Sequence, residues 1–134
     1  MDKKEMNALI ERAKEARKKA YSPYSGFSVG AALLTADGSG RIYTGCNIEN
    51  ASFTPTCCAE RVAVFSAVAD GCRDFTAIAV VGNTAPCMPC GVCRQVLSEF
   101  CGKDMLIIYE GEDGEVRSIT LAELLPMSFC LKEK

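Results

Sequence analysis

The chain has 134 residues and a net charge of −2, and 49% of its residues are hydrophobic. This length is enough to bury one core, so we expect residues 1–134 to form a single domain. The acidic balance and the lack of tryptophan argue against a nucleic-acid partner. No apolar run approaches the roughly eighteen residues of a membrane span, which argues against a membrane partner. The charged N-terminus does not resemble a secretion signal and predicts a cytoplasmic protein.

The cysteine and histidine contents narrow the possible chemistry. Nine cysteines without a secretion signal indicate reduced thiols and metal binding rather than a disulfide framework. The sequence contains no histidine, which excludes Ser-His-Asp and Cys-His catalysis. Proton transfer is then left to a carboxylate, a tyrosine, a lysine or a metal-bound water.

The first third of the chain predicts a helix followed by a β-hairpin. Apolar residues recur at helical spacing from residue 3 to about residue 20, which is typical of an amphipathic surface helix. Apolar residues alternate over 27–34, a turn signal occupies 37–40, and 41–47 is predicted as the returning strand. The hairpin delivers the segment from Gly45 to Asn50 to one end of the sheet.

The middle of the chain predicts a buried α/β unit. A helix over about 58–70 is apolar almost all round, which indicates burial in the core or at a subunit interface. The apolar strands 75–81 and 105–109 flank a helix predicted over 90–100, so these two strands should be parallel. An edge strand over 116–119 and a short helix capped by Thr120 complete the prediction. The expected fold is a three-layer α/β/α domain with a five-stranded mixed sheet.

Three cysteines at two predicted helix starts form a candidate zinc site. They are Cys58, Cys90 and Cys93, and three protein ligands leave the fourth position open to water, as in catalytic zinc sites. Helix N-termini stabilise thiolates and lower their pKa values. Cys57 and Cys87 lie nearby in the sequence, so a closed structural site with four cysteines is the alternative.

Charged residues next to these cysteines suggest further roles. Glu60 begins an otherwise apolar helix, where an unpaired buried carboxylate is unfavourable, but beside a metal-bound water it could accept and pass on a proton. Arg61 and Arg94 follow the two cysteine clusters within the first helical turns. We expect Arg61 to hydrogen-bond a ligand sulfur and so tune the metal.

The motif Cys58-Ala59-Glu60, followed by Pro89-Cys90-x-x-Cys93, resembles the three-cysteine signature of zinc nucleobase deaminases. Over nearly its whole length the chain is similar to the small homotetrameric, zinc-dependent cytidine deaminases of the cytidine/deoxycytidylate deaminase superfamily. The stretches that carry this resemblance are 24–33, 45–51, 58–61, 89–96 and 123–126.

The resemblance implies hydrolytic deamination of cytidine and 2'-deoxycytidine to the uridines, with release of ammonia, as part of pyrimidine salvage. It further implies one Zn²⁺ per chain and Glu60 as the group that moves the proton. By residue-for-residue match, Asn47 and Glu49 would bind the ribose, Phe27 and the backbone at Ala59 would contact the base, and Phe129 would come from a neighbouring subunit.

The chain departs from this family pattern in two places, and other functions remain open. Phe53 stands where many relatives carry tyrosine, and the tail after Phe129 is short. The alternatives are an aminohydrolase for another pyrimidine nucleoside or a cytosine-containing antibiotic, a nucleic-acid-editing deaminase, a deoxycytidylate deaminase and a non-catalytic zinc module. The pair Asn47 and Glu49 favours an ordinary ribose, and the chain shows no phosphate-binding loop near the motifs.

Overall fold

The computed structural model describes residues 1–131, so residues 132–134 of the expected domain lie outside the described residues. Within this range the chain forms four helices and five strands. In chain order they are α1 (Lys3–Arg17), β1 (Gly30–Thr35), β2 (Ile42–Cys46), α2 (Ala59–Ala69), β3 (Phe75–Val81), α3 (Gly91–Phe100), β4 (Leu106–Glu110), β5 (Val116–Thr120) and α4 (Leu121–Leu124).

The strands form one mixed sheet in the order β2-β1-β3-β4-β5. Strands β3 and β4 are parallel, as the β-α-β pattern predicted, and the other neighbouring pairs are antiparallel. Strand β5 lies at an edge, also as predicted, and Thr120 caps α4 through a capping box with Glu123. Along the chain, α2 follows β2 and α3 follows β3, and both strands belong to this one sheet.

Helices cover both faces of the sheet, which confirms the three-layer prediction. Successive residues of β1 point to opposite faces: Leu33 packs in a core cluster with Ala63 of α2, and Ala32 packs in a second cluster with Ala13 of α1. Leu97 of α3 belongs to the first cluster. Thus α1 lies on one face, whereas α2 and α3 lie on the other.

Two glycines let the helices approach the sheet closely. A Cβ on Gly30 would lie 2.0 Å from the carbonyl oxygen of Ala13 in α1. A Cβ on Gly45 would lie 2.4 Å from the carbonyl oxygen of Ala59, the first residue of α2. Because real Cβ atoms do not tolerate such contacts, Gly45 sets how closely the start of α2 lies against β2.

Two predicted boundaries are wrong, and hydrogen bonds explain both. Helix α1 ends at Arg17 rather than near residue 20, because Tyr21 enters a short β-bridge with Ile48. Phe27 lies outside β1, because the side chain of Asn47 binds the backbone at Phe27 and Val29 in place of a neighbouring strand. Local periodicity contains no information about either long-range contact.

Helix α2 is buried on one face only. Ala63, Val64 and Ala67 lie in the core, whereas the ring of Phe65 is 48% exposed. The sequence predicted burial in the core or at a subunit interface because the helix is apolar almost all round, but within one chain only one face of α2 is buried. In residues 1–131 no helix has the length and apolarity required to cross a membrane.

Candidate metal centre and active site

The N-termini of α2 and α3 bring the three predicted metal ligands together. Cys58 is the N-cap of α2, Cys90 is the N-cap of α3, and Cys93 lies in the first turn of α3. The Sγ atoms of Cys58 and Cys90 are 3.9 Å apart, and those of Cys90 and Cys93 are 3.5 Å apart. All three sulfurs lie within 4.8 Å of one another.

This sulfur arrangement fits a zinc ion. A tetrahedral zinc with Zn–S bonds of about 2.3 Å holds its sulfurs about 3.8 Å apart, close to the observed separations. Within residues 1–131, neither Cys57 nor Cys87 belongs to the cluster of potential ligands. Burial, followed by the charge of Glu60, also raises the pKa of Cys87 to about 11, so this thiol stays protonated. The described residues therefore supply three ligands and leave one position open.

Arg61 and the helix ends favour negative charge on sulfur. The Nη2 atom of Arg61 donates a hydrogen bond to Sγ of Cys58 over 3.3 Å. Hydrogen bonding from Cys93, and then from Arg61, lowers the pKa of Cys58 to about 5 against the opposing effect of burial. Cys58 is therefore ready to bind a cation as a thiolate.

Arg94 is placed differently from Arg61. Its Nε atom donates to the carbonyl oxygen of Pro89 at 2.8 Å, and its Nη1 atom donates to the carbonyl oxygen of Leu124 at 2.9 Å. Arg94 thus connects the loop before Cys90 to α4, and the bonds of its guanidinium go to carbonyl oxygens rather than to sulfur. The sequence places both arginines in the first turn of a helix, so it did not show that Arg61 binds sulfur and Arg94 binds carbonyl oxygens.

Glu60 is a buried carboxylate beside the cysteine cluster. Glu60 is only 4% exposed, and no described residue donates a hydrogen bond to its Oε1 atom. Burial raises the pKa of Glu60 to about 7, and Cys93 is among the groups that interact with the carboxylate. An unpaired buried acceptor is unfavourable for folding, so its retention here indicates a partner supplied by a ligand or a water.

Asn47 and Glu49 occupy the segment after β2 and hold the loop that carries Phe27. Asn47 donates from Nδ2 to the carbonyl oxygen of Phe27 and accepts at Oδ1 from the backbone amide of Val29, and the donor–acceptor distance is 2.8 Å in both bonds. Glu49 accepts at Oε1 from the amides of Tyr24 and Ser25 over 2.9 and 3.1 Å.

Ser25 is a functional neighbour that the sequence interpretation missed. Its hydroxyl donates to Oε2 of Glu49, and this bond, followed by the backbone amides, lowers the pKa of Glu49. The carboxylate therefore stays ionised at the surface. The serine-rich loop around Pro23 was the only signal that could have suggested such a contact, because serine often hydrogen-bonds locally in loops.

Phe27 links this loop to the region of Glu60. Its ring lies so close to Gly82 that a Cβ there would be 2.8 Å from Cε1 of the ring and 2.8 Å from Sγ of Cys87. Cys87 in turn is close enough to feel the charge of Glu60. Ala59 begins α2, where the first backbone amides have no intrahelical acceptor.

Phe129 and Phe53, which also bear on the family resemblance, lie at the surface of the chain. Phe129 is 66% exposed, and its carbonyl oxygen accepts from Nε2 of Gln95 at 3.1 Å. Phe53 is also exposed and contacts Tyr24 edge-to-face, with 6.2 Å between the ring centroids. The structure does not pack the ring of Phe129 into the site of its own chain.

An open three-cysteine metal site beside a buried carboxylate with one unpaired oxygen is the class of centre that activates water. The family model for the cytidine and deoxycytidylate deaminase zinc-binding region matches residues 3–109. A cytidine deaminase from Sporosarcina psychrophila is 51% identical over 130 residues, which are 96% of this chain and 94% of that protein. The chain belongs to the cytidine and deoxycytidylate deaminase family, and its metal is zinc.

Solved structures agree with this assignment. The crystal structure of cytidine deaminase from Burkholderia pseudomallei is 52% identical with a TM-score of 0.85, covering 92% of this chain and 98% of that one. The cytidine deaminase from Mycobacterium tuberculosis is 43% identical with a TM-score of 0.81, covering 93% of this chain and 97% of that one. These likenesses confirm the family resemblance and the fold class inferred from the sequence.

Proposed function

We propose that this protein deaminates cytidine and 2'-deoxycytidine to uridine and 2'-deoxyuridine by hydrolysis, with release of ammonia, in pyrimidine salvage. The observation that carries the proposal is the buried carboxylate of Glu60, whose Oε1 atom has no partner among the described residues and which lies beside the three-cysteine cluster. The assigned family and the relatives named cytidine deaminase support the same reaction.

Glu60 carries the proton in this reaction. A zinc ion held by Cys58, Cys90 and Cys93 would supply Lewis-acid activation of the attacking water. Glu60 takes one proton from that water and delivers it to ring nitrogen 3; it then takes the second proton from the same oxygen and delivers it to the amine, which leaves as ammonia while the carbonyl forms. Its burial excludes competing solvent, and a carboxylate whose pKa lies near 7 suits a group that must both accept and donate.

Arg61 assists without contacting the substrate. Its bond to Cys58 draws negative charge from one of three thiolates, which would otherwise make the metal a poor Lewis acid. The helix N-termini at Cys58 and Cys90 act in the same direction, because their unpaired amides stabilise negative charge.

Loop residues bind the nucleoside. Asn47 uses one amide hydrogen and one oxygen lone pair on the backbone, which leaves one of each for a ribose hydroxyl. The ionised carboxylate of Glu49 accepts from ribose hydroxyls. Phe27 packs on the base, and the first backbone groups of α2 at Ala59 hydrogen-bond it. This pairing of sugar and base contacts favours a nucleoside over a free base.

The functional protein is a cytoplasmic homotetramer in which residues 1–134 of each chain form one domain. The exposed rings of Phe53, Phe65 and Phe129 support self-association, because burying large aromatic side chains between subunits removes apolar surface from water. Phe129 completes the site of a neighbouring subunit, which accounts for its exposure in its own chain.

The test is conversion of cytidine by the zinc-loaded protein, followed as the ultraviolet change to uridine. We expect turnover in the wild type and a 10²- to 10⁴-fold lower kcat, of about the size of general acid–base catalysis, in Glu60→Gln with zinc content unchanged. Glu11→Gln, an exposed position on α1, is the matched control and should retain full activity. Equal turnover in Glu60→Gln and wild type would refute the assigned role of Glu60.

A further inference from the structure

Asn83 hydrogen-bonds the chain on both sides of Phe27. Its Nδ2 atom donates to the carbonyl oxygen of Gly26 at 2.9 Å, and its Oδ1 atom accepts from the amide of Ser28 at 3.2 Å. These two backbone groups immediately flank Phe27. One side chain from the loop after β3 therefore holds the residues before and after Phe27.

Arg17 extends this contact to α1. Its Nη2 atom donates to Oδ1 of Asn83 at 2.8 Å, and its Nε atom donates to the carbonyl oxygen of Ser28 at 3.1 Å. Arg17 is half-buried. The guanidinium thus orients the amide of Asn83 and binds the same loop independently.

The loop depends on such side-chain bonds for its position. Phe27 lies before β1 begins, so the sheet does not hold it. On the other side, Asn47 binds the carbonyl oxygen of Phe27 itself. The ring meanwhile rests against Gly82, the residue immediately before Asn83. Residues 82 and 83 therefore locate both the ring and its backbone relative to the end of β3.

We propose that Asn83 is a positioning residue that sets the place of Phe27 for the pyrimidine base. It acts through the backbone at Gly26 and Ser28 and makes no contact with the nucleoside. The inference rests on the proposed function, in which Phe27 packs on the base. Since an aromatic contact with the base is present in both the ground state and the transition state, loss of its placement raises KM and leaves kcat nearly unchanged.

The test measures kcat and KM for cytidine in Asn83→Ala and Asn83→Asp, alone and combined with Phe27→Leu. Asn83→Ala should raise KM by about tenfold with kcat within about twofold, because it removes two hydrogen bonds to the loop. Asn83→Asp keeps the acceptor for Ser28 and Arg17 and should restore KM to within about threefold of the wild type. In the Phe27→Leu background, Asn83→Ala should change KM by less than about twofold.

Asp37→Ala is the matched control. Asp37 also holds an exposed turn, accepting from the backbone amide and hydroxyl of Ser39 at 2.9 and 2.6 Å, but in the connection between β1 and β2. Its loss should leave KM for cytidine unchanged. If Asn83→Ala does not fold, KM is measured instead for Arg17→Met, alone and combined with Phe27→Leu, because Arg17 binds both Asn83 and Ser28. The same pattern is expected: a rise in KM in the single variant and little further change in the Phe27→Leu background.

The outcomes separate this inference from the proposed function. If the zinc-loaded wild type fails to deaminate cytidine, the proposed function fails and the inference fails with it. If the wild type is active but Asn83→Ala leaves KM within twofold, only the inference is overturned. A rise in KM that persists in full in the Phe27→Leu background also overturns it, since Asn83 would then act without Phe27.

Discussion

The two halves of the candidate site are built by different means. The metal half comprises Cys58, Glu60, Cys90 and Cys93, all at the starts of α2 and α3. The nucleoside half comprises Phe27, Asn47 and Glu49, which lie on loops outside the named strands and helices. Helix ends that pack on a sheet place the first group, whereas side-chain bonds to loop backbone place the second.

Burial separates only part of the metal half from the rest of the site. Glu60 and Cys93 are buried, whereas Cys90 of the metal half and Phe27 of the nucleoside half are exposed. The core of the chain thus holds the candidate proton-transfer group and one candidate ligand, and the loops proposed to bind the nucleoside remain accessible to a ligand. Changes in the metal half should therefore affect metal content, kcat and stability together, while changes in the nucleoside half should affect mainly KM.

The largest effect is expected from Cys93→Ser, which breaks the metal half. Loss of one of three sulfur ligands should abolish stoichiometric zinc binding and lower kcat/KM by about 10³-fold or more, since the metal supplies several kcal/mol of activation. Zinc analysis and cytidine turnover measure both effects. Cys101→Ser removes another buried thiol, at the end of the same helix, and should retain zinc. A zinc-loaded, active Cys93→Ser protein would contradict the ligand assignment.

An intermediate effect is expected from Arg61→Gln, which leaves all three ligands in place. Without the donor to Cys58, negative charge stays on sulfur, and kcat or zinc affinity should fall by about 10- to 100-fold. Arg94→Gln is the comparison, because Arg94 binds the carbonyls of Pro89 and Leu124 instead. Arg94→Gln should lower the melting temperature and leave the zinc affinity close to that of the wild type. Unchanged zinc retention and turnover in Arg61→Gln would exclude the tuning role.

The smallest effect is expected from Phe129→Ala, which tests whether Phe129 contributes to nucleoside binding. Loss of an aromatic contact with the base should raise KM by about tenfold while zinc content stays the same. Mixing Phe129→Ala with Glu60→Gln subunits tests whether the ring acts in trans. Hybrid assemblies should regain wild-type KM at a fraction of the sites, because each variant supplies what the other lacks.

If the mixture only averages the two parent activities, Phe129 does not complete a neighbouring site. Light scattering on the same samples measures the assembly, and a mass of one chain would contradict the tetramer as well. The metal half should be unaffected in either case, since its residues all come from one chain.

Much of the fold was predictable because local patterns determine it. Apolar runs of strand length and the β-α-β order predicted the parallel pair β3 and β4. The same patterns predicted the helix starts at Cys58 and Cys90, and therefore the convergence of the cysteines. The sequence marked Glu60 as an unfavourable core residue in an apolar helix, whereas the structure buries it beside the cysteines.

The remaining features depend on contacts between distant parts of the chain. Arg17 and Asn83 meet across 66 sequence positions, and nothing in either neighbourhood indicates the partner of the other. Arg61 and Arg94 occupy similar positions after a cysteine cluster, yet one binds sulfur and the other binds carbonyl oxygens. Their surroundings, rather than their spacing, separate the two roles.

The sequence by itself determined the order of the helices and strands along the chain and narrowed the candidate metal ligands to the cysteines near two helix starts, because periodicity and residue spacing are local properties of the chain. The structure decided which three of these cysteines converge. Only the tertiary structure decided where α1 ends, why Phe27 lies outside β1 and which side chains hold its loop. These outcomes depend on hydrogen bonds that form only after the sheet and helices have brought remote residues together.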